Sequence, residues 1–262
     1  DDGRVKPDVV GNGVALYSPV AASDTAYGSG SGTSMSSPNI AGTAVLLIEH
    51  FANEFGAEPL SASTKGLLIH TASDAGNSGP DYAYGWGLVN AAAAATFISD
   101  AATADTKSYF EERRYGGSAW TLDLASDGTQ PLKATIVWTD PAPTVLPGGG
   151  LDDPTTVLVN DLDLWITGPG GTYYPWTLDP LNPSAAAVRT QANRVDNVEQ
   201  VLIDAPAAGV YTLHVGRTGS LFAQPYTLLA SGASVEATTP AVSLSLAGSP
   251  LSEAGGVATV TA

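Results

Sequence analysis

Gly30-Ser31-Gly32-Thr33-Ser34-Met35-Ser36-Ser37-Pro38 leads directly into Asn39-Ile40-Ala41-Gly42-Thr43-Ala44-Val45-Leu46-Leu47-Ile48. Small residues that tolerate tight backbone give way to an apolar run. Ile40, Thr43, Ala44, Leu47, Ile48 and Phe51 recur at steps of three and four, the period of a helix. The spacing predicts one helix from Ser34 to about Phe55, largely buried because few charges interrupt it. Such a sequence delivers a hydroxyl to a helix start, where the first N–H groups lack intrahelical partners and negative charge on a bound oxygen is stabilised. Pro38 suits the first turn, since the N–H it lacks would have no partner there. An ordinary N-capping run would also use Ser and Thr, but a cap accounts for one hydroxyl and not for the whole string.

The string Gly32-Thr33-Ser34-Met35-Ser36-Ser37-Pro38 with its Ala/Gly-rich helix resembles the nucleophile motif of the subtilisin-like serine peptidases, the subtilases. Two other stretches are similar to the same family, in the family's order. Arg4-Val5-Lys6-Pro7-Asp8-Val9-Val10-Gly11-Asn12-Gly13 looks like the strand and loop before the nucleophile, and Ala83-Tyr84-Gly85-Trp86-Gly87-Leu88-Val89-Asn90 like the segment that closes the catalytic domain. The resemblance covers roughly residues 1 to 98. It implies an α/β domain with helices on the faces of a parallel sheet, polypeptide substrates and an extracellular location. It also implies a catalytic Ser34 within a nucleophile and oxyanion loop of Gly32, Thr33 and Ser34, the Ser34 N–H serving as one oxyanion donor.

A serine nucleophile needs a general base within hydrogen-bond reach and a carboxylate to orient that base. In the subtilisin order both precede the serine. None of the 33 residues before Ser34 is a histidine, and His50, His70 and His214 all follow it. His50 lies 16 positions further on, about 24 Å along a helix axis. His70 ends an apolar run and His214 sits in a strand-like alternation, so each reads as a structural or surface histidine. The side-chain oxyanion Asn of the family has no counterpart either. The expectation is a piece of a peptidase cut within its catalytic domain and inactive by itself.

With 44% hydrophobic residues the 262-residue chain can bury a packed core, and its lack of cysteine removes disulfides. Ten Lys and Arg against 26 Asp and Glu give a net charge of −16, which argues against nucleic acid and acidic membranes as partners. No apolar run is long enough to span a bilayer.

The pass along the chain predicts a strand, a turn and a second strand within residues 1–20, loop over 21–33, and helices near 62–71 and 90–98. From about residue 105 the period changes to two, with strands at 120–124, 132–138, 162–166, 198–203, 209–215 and 226–230, so an all-β sandwich or barrel is expected. The order of these strands with Leu158-Val159-Asn160-Asp161-Leu162-Asp163-Leu164 resembles the jelly-roll C-terminal domain of one branch of alkaline subtilases. The fold class is thus α/β over 1–104, the C-terminal part of a subtilisin-like parallel-sheet domain, and a jelly-roll β-sandwich over 105–233. A linker follows over 234–241, and 242–262 looks like the start of a further, Calx-beta-like β domain.

Asp161 and Asp163 fall on one face of their strand, opposite Leu162, Leu164 and Ile166. Two like charges there are either solvated or bridged by a cation, and relatives with this domain bind calcium. A structural calcium site of Asp161, Asp163 and Asp196, with Asn193 nearby, is one expectation; a solvated polar face is the other. Trp138, Trp165, Tyr173, Tyr174 and Trp176 are expected to fill cores rather than stack on sugars. The function expected is that of a secreted serine endopeptidase acting through Ser34. The alternative is a noncatalytic β-sandwich binding or adhesion module with a degenerate peptidase remnant.

Overall fold

The computed structural model describes residues 3–103, 106–143, 155–219 and 223–236, with the backbone of short strands at 245–247 and 259–261. A hairpin of β1 (Leu16–Pro19) and β2 (Tyr27–Gly30) precedes three helices: α1 (Thr33–Phe55), α2 (Ser61–His70) and α3 (Ala91–Ala101). Then come β3 (Ser108–Arg114), β4 (Trp120–Ser126), β5 (Leu132–Val137), β6 (Asp161–Gly168), β7 (Gly171–Tyr173), β8 (Val198–Ile203), β9 (Gly209–Thr218), β10 (Pro225–Ser231) and β11 (Ser234–Val235). They form two antiparallel sheets, an inner one ordered β3-β10-β5-β8 and an outer one ordered β11-β4-β9-β6-β7.

The inner sheet is the middle of three layers. Leu228 and Ala230 of β10, with Ala134 and Ile136 of β5, face the outer sheet and share a core with Leu124, Leu162, Leu164, Leu213 and Val215. Their neighbours face the other way. Leu229 and Phe110 join Leu47, Phe51, Leu67, Phe97 and Ile98 of the helices, and Val137 and Val198 join Ala62, Ile69, Trp86 and Trp176. A strand covered on both faces reads as a near-continuous apolar run, as in Tyr226-Thr227-Leu228-Leu229-Ala230. The outer sheet has one wet face, so β9 alternates: Tyr211, Leu213 and Val215 point in, while Thr212 bonds Asp123 and His214 stacks on Trp165. Trp138 and Trp176 are buried and Tyr173 packs against the core, while Tyr174 is exposed.

The seam between helices and inner sheet is partly polar. Ser63 Oγ lies 2.8 Å from Thr227 Oγ1 and donates to Glu112, while Lys133 Nζ donates to the carbonyl of His70 at 2.8 Å. His70 reaches Thr135 Oγ1 from Nδ1 (2.8 Å) and Ser231 Oγ from Nε2 (3.0 Å).

Several expectations are corrected. Residues 27–30 are not loop but β2, because their glycines and serine pair with Leu16–Pro19, and the first expected strand shrinks to a single parallel bridge of Val10 with Leu88. That bridge is the only parallel pairing among the described residues, so the helices cover an antiparallel sheet of the β half instead of a parallel one. Helix α1 is not largely buried: only Leu47 and Phe51 are, whereas Val45 and Leu46 are each 65% exposed, because α2 and α3 line one side of it. β3, β7 and β11 add to the expected strands. Ser234–Val235, expected to begin a linker, instead extend the outer sheet by pairing with Ala125 and Leu124. In the expected Calx-beta-like segment, the backbones of 245–247 and 259–261 pair antiparallel; the rest of 237–262 lies outside the described residues.

Burial, reinforced by the charge of Lys133, holds the His70 imidazole well below its ordinary range. The unfolded chain takes up a proton at His70 near pH 6.5 and the folded chain does not, so this stabilisation is complete above pH 6.5 and is lost as pH falls below it. His70→Gln is therefore expected to cost about 1–3 kcal/mol at pH 8 through its buried hydrogen bonds. The gap to wild type in thermal melts should narrow from pH 6.5 toward 5; a gap that widens over that range would contradict a neutral buried imidazole.

Candidate active site

The three N-terminal motifs are one structure. Val10 N–H donates to Gly87 O (3.0 Å), Val89 N–H to Val10 O (2.9 Å) and Trp86 N–H to Asp8 O (2.9 Å), which ties the Lys6-Pro7-Asp8 stretch to the Tyr84-Gly85-Trp86-Gly87 turn. Asp81 shapes that turn by accepting from the N–H groups of Asn77, Ala83 and Tyr84. Burial alone would raise its pKa, but these three donors outweigh burial and lower it. On the other side, Ser36 Oγ donates to Gly11 O (2.8 Å) and Gly32 N–H to Gly13 O (2.8 Å), which fixes the start of α1 against the same stretch.

Gly32 caps α1 with φ +150° and ψ 171°, a conformation that side chains rarely adopt, and no side chain caps the helix. Its carbonyl accepts from Met35 and Ser36 (3.0 and 3.2 Å), which leaves the amides of Thr33 and Ser34 without a hydrogen-bond partner among the described residues. Ser31 Oγ accepts from Ala15 N–H and Ser36 Oγ is taken by Gly11. Ser34 is exposed, and of the hydroxyl residues from Ser31 to Ser37 it is the one that lines a groove of about 460 Å³. Leu16, Val20, Gly28, Gly30, Met35 and Asn39 form other parts of that groove, between the β1–β2 hairpin and α1. The arrangement places an exposed hydroxyl beside two amide donors that have no partner among the described residues, along a largely apolar trough.

Among the described residues no histidine or carboxylate lines the groove. His50 Nε2 contacts Ala95 O and Ser99 Oγ on α3, His70 is locked into the helix–sheet seam, and His214 Nε2 contacts Thr167 Oγ1 beside the Trp165 ring. All three histidines are engaged elsewhere in the structure.

Of the residues expected to hold a metal, Asp161 and Asp163 come together and Asp196 does not join them. Arg194 Nη1 donates to Asp161 Oδ2 (3.0 Å) and Asp163 Oδ1 (2.5 Å), and Thr218 Oγ1 donates to Asp163 Oδ2 (3.0 Å). Asp196 accepts instead from Val5 N–H (2.8 Å) and Asn193 Nδ2 (2.9 Å). The third carboxylate beside the pair is Glu199, whose Oε2 accepts from Leu164 N–H at 2.6 Å. Burial raises the pKa of Glu199 well above the ordinary range, and burial also raises that of Asp161. The sequence held a signal for Glu199: it alternates with Val201 and Ile203, which face the core.

Gly85 decides how closely the two tied stretches approach. It has φ +60°, and a Cβ there would lie 1.9 Å from Pro7 O and 2.7 Å from Asp8 O. Gly85→Ala is expected to cost at least about 2 kcal/mol, from left-handed backbone strain and the forced shift of residues 7–8. Urea unfolding of the full chain reads this; a variant as stable as wild type would mean that the contact is dispensable.

Residues 1–87 match the subtilase family. A 64-residue stretch, 24% of the chain, is 42% identical to the "Extracellular serine protease" of Serratia marcescens and spans 6% of that protein's length. Among solved structures, PliG of Aeromonas hydrophila, a periplasmic inhibitor of g-type lysozyme, aligns over 48% of this chain and 87% of its own at 16% identity. Its TM-score of 0.26 is too low to bear on fold or function. No helix among the described residues is long and apolar enough to cross a membrane. The serine motif, its upstream loop and its downstream turn, joined as described, all fall within residues 1–87, the stretch that is similar to the subtilase family.

Proposed function

We propose that Ser34 is the nucleophile of a subtilisin-like serine endopeptidase. Its Oγ attacks a peptide carbonyl, its proton passes to a base and then to the leaving amine as the C–N bond breaks, and water releases the acyl group from Ser34. The Ser34 amide meets the charge that develops on the carbonyl oxygen. The observation that carries this reading is an exposed hydroxyl at the mouth of a groove, on the first turn of a 23-residue helix with two unengaged amides beside it. The base and its carboxylate are supplied by residues other than this chain's three histidines, which are held elsewhere, so the chain alone does not turn over peptides. Similarity to an extracellular serine protease of Serratia marcescens supports an extracellular setting. We read the β half as a jelly roll: counted from β3 to β10, its strands run first, eighth, third, sixth in one sheet and second, seventh, fourth, fifth in the other.

A chimera tests the nucleophile. The matching stretch of the Serratia marcescens protease is replaced by this chain's own, so that the host supplies base and carboxylate. The chimera is expected to take up one equivalent of a fluorophosphonate probe and to cleave a peptide substrate, with Ser34→Ala lowering both by about a thousandfold or more. The 262-residue chain alone should label far below one equivalent. A folded chimera that does not label would sink the assignment, as would full labelling of the isolated chain for the claim that its base is elsewhere.

A further inference from the structure

A cavity of about 480 Å³ lies between the start of α2 and the loop that follows β5, and it shares no residue with the Ser34 groove. Ala62, Pro141, Pro143, Val157 and Leu158 give it apolar walls. Trp138 also lines it, is only 1% exposed, and has an Nε1–H with no acceptor among the described residues. The indole is held where it is: the Trp138 backbone N–H donates to Asn197 O (3.2 Å), and the Trp138 carbonyl accepts from Asn197 Nδ2 (2.7 Å). A buried donor without an acceptor costs free energy, which an acceptor bound in the cavity would relieve.

The cavity also borders a surplus of positive charge in a chain whose net charge is −16. Lys65 lines it, and the Lys65 and Lys6 ammonium groups lie 2.9 and 2.8 Å from the same Asp8 oxygen. Two cations on one carboxylate leave a positive charge over. Burial lowers the Lys65 pKa in spite of Asp8, the mark of an ammonium short of counter-charge. Asp140, on the cavity wall, has both oxygens engaged by the N–H groups of Val159 and Asn160 (2.7 and 2.8 Å). Asp196, whose charge also reaches Lys65, is held by Val5 N–H and Asn193.

We propose that this cavity binds a carboxylate carried on a small apolar group, the chemistry of a peptide ending in leucine or of a short branched fatty acid. One carboxylate oxygen accepts from Trp138 Nε1–H, its charge faces Lys65, and the apolar part lies against Pro141, Pro143 and Leu158. Sulfate or phosphate would meet the charge and leave the apolar walls wet, while a neutral amide would satisfy the indole and leave Lys65 under-compensated. The volume falls within the range of about 300–1,000 Å³ usual for small-molecule sites. The site does not involve Ser34, and either reading can fail without the other.

The full chain, labelled with nitrogen-15, is titrated at pH 7 with N-acetyl-leucine, with 4-methylpentanoate and with the uncharged N-acetyl-leucinamide, and followed by NMR. Of the five indole N–H signals, the one missing from Trp138→Phe is expected to move downfield as either carboxylate saturates the site, and its exchange with solvent to slow. Tighter binding of N-acetyl-leucine assigns a peptide end and tighter binding of 4-methylpentanoate a fatty acid; either order supports the site. The leucinamide should bind at least about tenfold more weakly than the acid, and Trp138→Phe and Lys65→Met should each weaken both carboxylates by about tenfold. Should Trp138→Phe not fold, its signal is assigned through the backbone of the wild type, and Lys65→Met carries the comparison. The proposal is overturned if neither carboxylate saturates the site by about 10 mM, if the amide binds as tightly as the acid, or if the Trp138 signal ignores a ligand that binds.

Discussion

The inner sheet must be covered on both faces, and the rest of the molecule is arranged to cover it. Leu228 and Leu229 are adjacent in sequence and serve two different cores, one shared with the outer sheet and one with the helices. Each such side chain contributes on the order of 1.5–3 kcal/mol by leaving water, so neither layer can be lost without exposing residues of β3, β5, β8 and β10. The helical segment is therefore joined to the β half by apolar packing rather than by a tether.

That arrangement also places the candidate nucleophile. The side of α1 that buries Leu47 and Phe51 packs toward α3 and Phe110, and its N-terminus is fixed by Gly11 and Gly13 from the stretch that Gly85 and Gly87 hold. Ser34 thus stands on a helix anchored at both its start and its middle, while the hairpin of β1 and β2 forms the opposite wall of the groove. The exposed Val45 and Leu46 lie on the side of the helix that no other element among the described residues covers.

Much of this was legible in the residues. The three-and-four spacing from Ile40 to Phe51 placed α1, and the alternation in Gly209–Val215 placed β9, because one face of each is apolar. Spacing could not tell how deeply α1 is buried, since burial depends on which elements pack beside it. β3 was harder to see: Tyr109 and Phe110 are consecutive and face different cores, while Glu111, Glu112 and Arg113 look like a solvated run although Glu112 is bonded to Ser63. β2 was hidden by its glycines, which carry no strand preference. The Ser34 loop was readable from motif residues, and the pairing of Asp161 with Asp163 from period two. Glu199 against Asp196 was a tertiary outcome: three residues apart, one faces the outer sheet and the other reaches back to Val5.

The polar seam between α2 and the inner sheet has a further consequence. A wholly greasy joint would let the helix slip along the sheet by one turn, about 5.4 Å, at little loss of burial. Here such a slip would strand Ser63, His70 and Lys133 away from Thr227, Thr135, Ser231 and the His70 carbonyl. The joint is keyed rather than merely sticky, and the penalty for a wrong seating falls on misaligned assemblies while the correct one keeps its partners.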